Sequence, residues 1–84
     1  MKVNFIDDTS LNIYEPGSYI LDKYKYGYQA MSKYDELMHH WDNTLHHPQI
    51  YTFPYHQHFG NELNVNPSKN ITLYEVLIFI QNSL

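Results

Sequence analysis

Eighty-four residues suffice for one small domain, and a chain this short buries a smaller share of its surface than a larger one, so a partner or a second copy is an expected source of stability. It has no cysteine, which excludes disulfides and thiolate metal sites and fits a reducing compartment, the cytoplasm. The formal net charge of -4 excludes a protein that holds nucleic acid mainly through a basic stripe, so any RNA contact must be local.

The opening MKVNFIDDTSLNIYE has neither the apolar run nor the small-residue cleavage site of a signal peptide, and no stretch nears the roughly 20 apolar residues of a membrane span. Val3, Phe5, Leu11 and Ile13 alternate with polar residues around the turn Asp7-Asp8-Thr9-Ser10, which predicts a β-hairpin. Pro16-Gly17-Ser18 marks the next connection. Residues 19–29 alternate again, predicting the longest strand, with Tyr24, Tyr26 and Tyr28 on one face and Lys23, Lys25 and Gln29 on the other. A turn over 30–34 leads to a fourth strand at about 35–41, with Leu37, His39 and Trp41 on one face and Met38, His40 and Asp42 on the opposite one; a short helix is the competing reading. From 43 to 70 the chain carries Pro48, Pro54, Gly60 and Pro67 among Asn and His residues, so this stretch is expected to be a His/Pro-rich loop with sparse ladder pairing. Thr72-Leu-Tyr-Glu75 fits a capping box, Ile71 and Val76 a hydrophobic staple, and Leu73, Val76, Leu77 and Ile80 recur at helical spacing, predicting a helix over about 73–82. The expected fold is therefore α+β: one domain with an antiparallel sheet of about four strands over 2–42 and one C-terminal helix.

All six histidines fall between residues 39 and 58, interleaved with Trp41, Asp42 and Tyr55. In one chemical reading, His46, His47, His56 and His58 supply a general base and acid for an RNA 2'-hydroxyl and its leaving oxygen, Asp42 orients an imidazole, and Lys23, Lys25, Tyr24 and Tyr26 contact the substrate. That chemistry needs no cofactor. In another, His56 and His58 join His46 or His47 and Asp42 around a divalent ion such as zinc. A third reading makes the loop a cover for the sheet, with imidazoles bonded to backbone carbonyls, and makes the tyrosines a packed or partner-binding face.

Several spaced motifs stand in register over most of the chain: Tyr24-Lys-Tyr26-Gly-Tyr28-Gln29, Trp41-Asp42-Asn43, His46-His47-Pro48, Phe53-Pro54-Tyr55-His56-Gln57-His58, Gly60, Pro67 and Thr72-Leu73-Tyr74-Glu75-Val76-Leu77. In this order they resemble the TumE-like toxins of type II toxin-antitoxin systems. The resemblance implies a toxin held inactive by a cognate antitoxin and, by analogy with other small sheet-plus-helix toxins, an RNA-cleaving activity. Two features depart from that family pattern. The chain lacks an initial helix and strand, which is consistent with a minimal active form, a degenerate copy or a domain that completes itself through an exposed sheet edge as a homodimer, and His40 stands where the family commonly has Arg.

Overall fold

The computed structural model describes residues 1–20 and 23–83. Among these residues eight strands precede one helix: β1 (Lys2–Asn4), β2 (Ser10–Tyr14), β3 (Tyr19–Ile20), β4 (Lys23–Tyr24), β5 (Gly27–Met31), β6 (Leu37–Asp42), β7 (His56–Phe59), β8 (Val65–Pro67) and α1 (Leu73–Ser83). Six of them form an antiparallel sheet in the order β1-β2-β5-β6-β7-β8, while β3 and β4 pair separately. The fold is the expected α+β arrangement, with six strands in the main sheet where about four were expected. Among the described residues no helix is long and apolar enough to cross a membrane.

Two differences from the sequence reading have physical causes. The strand expected over 19–29 is broken before β5, and among the described residues β6 is the longest strand. Between β4 and β5 the Asn43 side chain holds the backbone: Tyr26 N donates to Asn43 Oδ1 (3.0 Å), and Asn43 Nδ2 donates to the Tyr24 carbonyl (2.7 Å). Within 43–70, β7 and β8 extend the sheet beyond the loop that the prolines and asparagines suggested. Gly60 (φ 77°) takes the left-handed conformation that lets the chain turn after β7, and Pro67 ends edge strand β8, where a missing N–H is tolerated.

The register sorts the side chains into two faces. Pairings Leu11↔Ala30, Ile13↔Tyr28, Tyr28↔Trp41 and Ala30↔His39 place these residues on one side. There Leu11, Tyr28, Ala30 and Trp41 are buried with Tyr26, Val76 and Ile80 as the core, and Phe79 meets the rings of Trp41 and His39 edge-on. Tyr26 and Tyr28 stack at 5.1 Å. The helix thus covers one face of the sheet, and the opposite face keeps its polar side chains.

The helix starts as its sequence predicts. Thr72 N donates to Glu75 Oε1 (3.1 Å) and Glu75 N to Thr72 Oγ1 (3.2 Å), a reciprocal pair that satisfies otherwise orphaned N–H groups. Replacing Thr72 by Ala is expected to lower the unfolding free energy by about 1 kcal/mol, read as a shift of the urea midpoint with an unchanged slope.

Candidate functional site

The face away from the helix carries two rows of side chains across the sheet. One runs Lys2, Asn12, Gln29, His40, His58 and Val65; the other runs Tyr14, Gly27, Asp42, His56 and Pro67. Directly paired residues on antiparallel strands project to the same side, so strand alternation alone brings His40, Asp42, His56 and His58 together. The connection between β6 and β7 then folds back over this face. It is held by successive turns, with Ile50 N donating to His47 O, Phe53 N to Ile50 O and Tyr55 N to Thr52 O, and by Ser68 N donating to Thr52 Oγ1. The result is a cleft of about 510 Å³ whose lining includes Tyr14, Gln29, Asp42, His47, His56 and His58.

Asp42 is the centre of the hydrogen-bonding network. Its Oδ1 lies 2.7 Å from His56 Nε2 and also accepts from Thr44 N and Oγ1; its Oδ2 lies 3.1 Å from His40 Nε2. The other nitrogen of His40 reaches the Glu62 carboxylate at 3.0 Å, giving a continuous chain from Glu62 through His40 and Asp42 to His56. His56 Nδ1 bonds the Pro54 carbonyl at 3.0 Å, so both of its nitrogens face acceptors, an arrangement satisfied when both carry a proton. Burial disfavours the charged imidazole, but the Asp42 hydrogen bond and charge outweigh it and raise the His56 pKa. Burial likewise opposes ionisation of Asp42, and the hydrogen bonds and charge from His56 prevail, holding its pKa at about 2.

His58 Nδ1 donates to the Glu62 backbone carbonyl at 2.8 Å, which leaves Nε2 as the nitrogen with a lone pair when the ring is neutral. His47 comes from the covering loop. Its ring centroid lies 4.8 Å from that of His56 and 5.5 Å from that of His58, and partial burial followed by these neighbouring imidazoles lowers its pKa.

Of the residues singled out from the sequence, Asp42, His47, His56 and His58 converge in this cleft. His46 is exposed at its edge, 6.4 Å ring to ring from His47. Lys25 is not among the residues lining the cleft; its ammonium lies 5.9 Å from the ring centroid of Tyr14, which is. The Lys23 side chain lies outside the described residues. Tyr24 projects from the small β3-β4 ribbon against Tyr19, edge to face at 5.8 Å. Tyr26 is a core residue whose hydroxyl accepts a hydrogen bond from Ile71 N, and burial pushes its pKa up to about 12.

The cleft also contains residues that the sequence reading did not assign to a site. His40 had been placed on the same strand face as Asp42, and that alternation was the available signal for its role. Glu62 follows Gly60 in a turn with no periodic pattern, so nothing in the sequence pointed to it. Asn12, Tyr14 and Gln29 reach the cleft only through cross-strand register.

No curated protein and no solved structure matches the chain. The family model described as toxin TumE matches residues 1–84, the whole length. With the motif order and the paired Asp42 and histidines on one sheet face, this places the chain in its family: it belongs to the toxin TumE family.

Proposed function

We propose that this toxin cleaves RNA in the open-face cleft, with His47 and His58 as the proton-transferring pair and Asp42 and His56 positioning them. Membership of a toxin family implies a toxin of a toxin-antitoxin system, with an antitoxin as its partner. The observation that carries the ribonuclease reading is the convergence of imidazoles from the loop and from β7 over a buried carboxylate. One ring nitrogen each of His47, His56 and His58 lies within 4.8 Å of the others, close enough to serve a single phosphodiester.

The reaction needs only groups of this kind. One imidazole takes the 2'-hydroxyl proton, the 2'-oxygen forms a bond to phosphorus, and the bond to the 5'-oxygen breaks. The second imidazole supplies the proton to that leaving oxygen, and the products are a 2',3'-cyclic phosphate and a free 5'-hydroxyl. Lys25, beside the cleft residue Tyr14, is the cation within reach to support the phosphate charge. Asn12 and Gln29 in the cleft floor offer hydrogen-bond donors and acceptors to an unstacked nucleotide.

Growth arrest and total-RNA integrity after induced expression test this reading, together with cleavage of RNA by purified protein in the presence of a chelator. We expect arrest with RNA breakdown, both lost in a His47→Ala/His58→Ala variant shown by circular dichroism to be folded. A second variant removes no ionisable group. A Cβ at Gly27 would meet only ordinary contacts with Tyr14 and Asp42, the nearest at 3.7 Å, so Gly27→Leu is expected to fold and to obstruct the floor of the cleft, abolishing cleavage. Arrest with intact RNA, or cleavage unchanged in both folded variants, would overturn the ribonuclease assignment.

A further inference from the structure

The His47, His56 and His58 cluster has a second chemical capacity, which stands on ligand geometry and does not depend on the ribonuclease reading. Their three ring nitrogens lie within 4.8 Å of one another, and the ring centroids are 4.8 to 5.5 Å apart. Two of the three rings carry a further mark of metal ligands. His56 bonds the Pro54 carbonyl, and His58 bonds the Glu62 carbonyl, in both cases through Nδ1. A metal-binding histidine characteristically donates its remote N–H to such an acceptor, which fixes the tautomer and orients the ring. Both rings are therefore held with Nε2 as the ligating nitrogen.

We propose that His47, His56 and His58 bind one divalent transition-metal ion. His56 Nε2 bonds Asp42 Oδ1 at 2.7 Å, so an ion taking that nitrogen displaces the proton between these two atoms, which is released to solvent. Three imidazoles with water in the fourth position suit zinc, whereas magnesium prefers oxygen ligands and retains its waters. A second grouping, His40, His58 and Glu62, is the weaker candidate, because Glu62 is exposed and already bonds His40. The ion would occupy nitrogens that the proton-transfer chemistry uses, so the metal-bound and RNA-cleaving states exclude each other.

The test uses the full chain freed of any purification tag and stripped with chelator, titrated with zinc chloride by calorimetry and with cobalt chloride by visible absorption. We expect one ion per chain, the intense visible bands of four-coordinate cobalt, and no response to magnesium. Removing an outer partner of a metal ligand typically weakens binding about 10- to 100-fold, and loss of a ligand itself is expected to cost at least the upper figure. His47→Ala removes a half-exposed loop side chain and so tests the site without disturbing the sheet. It should weaken zinc by at least about 100-fold, while His46→Ala binds as the parent does. Binding unaffected by His47→Ala, binding lost in His46→Ala, or no binding at all would each overturn the proposal. No RNA is present in these measurements, so their outcome is independent of whether the protein proves to be a ribonuclease.

Discussion

Replacing Asn43 by Ala is expected to lower the unfolding free energy by about 2 to 6 kcal/mol, the largest stability loss of any single polar substitution proposed for this chain. The Asn43 side chain is fully buried, and its amide closes two backbone valences: it accepts from Tyr26 N and donates to the Tyr24 carbonyl. Truncation leaves an N–H and a C=O without partners, each costing about 1 to 3 kcal/mol when water cannot replace the lost bond. For a domain of this size each kcal/mol lowers the melting temperature by about 4 to 8 °C, so thermal unfolding followed by circular dichroism should show a fall of at least about 8 °C. Asn43→Asp preserves the shape and can still accept from Tyr26 N, but it turns a carboxylate oxygen toward the Tyr24 carbonyl and should also destabilise. A change below about 1 kcal/mol in both variants would mean that water satisfies these groups and that the clamp is not what fixes the entry to β5.

The clamp also shows why part of the fold was legible in the sequence and part was not. Alternation identified the β1-β2 hairpin, and on β6 it correctly set His39 and Trp41 against His40 and Asp42, because one face of that strand packs under the helix. The capping box located the start of α1 because its reciprocal bonds are local. The break before β5 depends on a side chain 17 residues away in the chain, and no local pattern encodes such a contact. Prolines and asparagines concealed β7 and β8, since a short edge hairpin tolerates residues that would disrupt a central strand. The tyrosine stripe was read as one surface, yet it is divided between Tyr24 on the small ribbon and the buried Tyr26 and Tyr28.

The candidate site divides in the same way. Asp42, His56 and His58 could be named from spacing and from the family motifs, and pairing of β6 with β7 sets Asp42 opposite His56. The pairing of His40 with His58, and the return of Glu62 to His40, required the register of a hairpin that the sequence did not reveal. His40 occupies the middle of a carboxylate–imidazole chain, so that position supports the cleft network.

Asp42→Asn is expected to reduce RNA cleavage by on the order of 10²- to 10⁴-fold, the range associated with loss of acid–base catalysis or of the carboxylate that orients it. The substitution nearly preserves size, and an amide oxygen can still accept from Thr44 or from one imidazole. It cannot serve both His40 and His56, since its other atom is an NH₂ group that donates and must face a ring nitrogen now held by Asp42 Oδ2 or Oδ1. The negative charge that raises the His56 pKa disappears as well, so the protonated ring loses support and can turn away from Pro54 and Asp42. Because Asp42 lies beneath the imidazoles and is occupied by protein partners, the loss should fall on kcat and leave KM nearly unchanged. A purely structural role would instead reduce the fraction of active protein without altering the kinetics of what remains. Single-turnover cleavage by the folded variant, with chelator present and active sites titrated, separates these cases: wild-type rates per active site would show that the proton-transferring pair needs no support from Asp42.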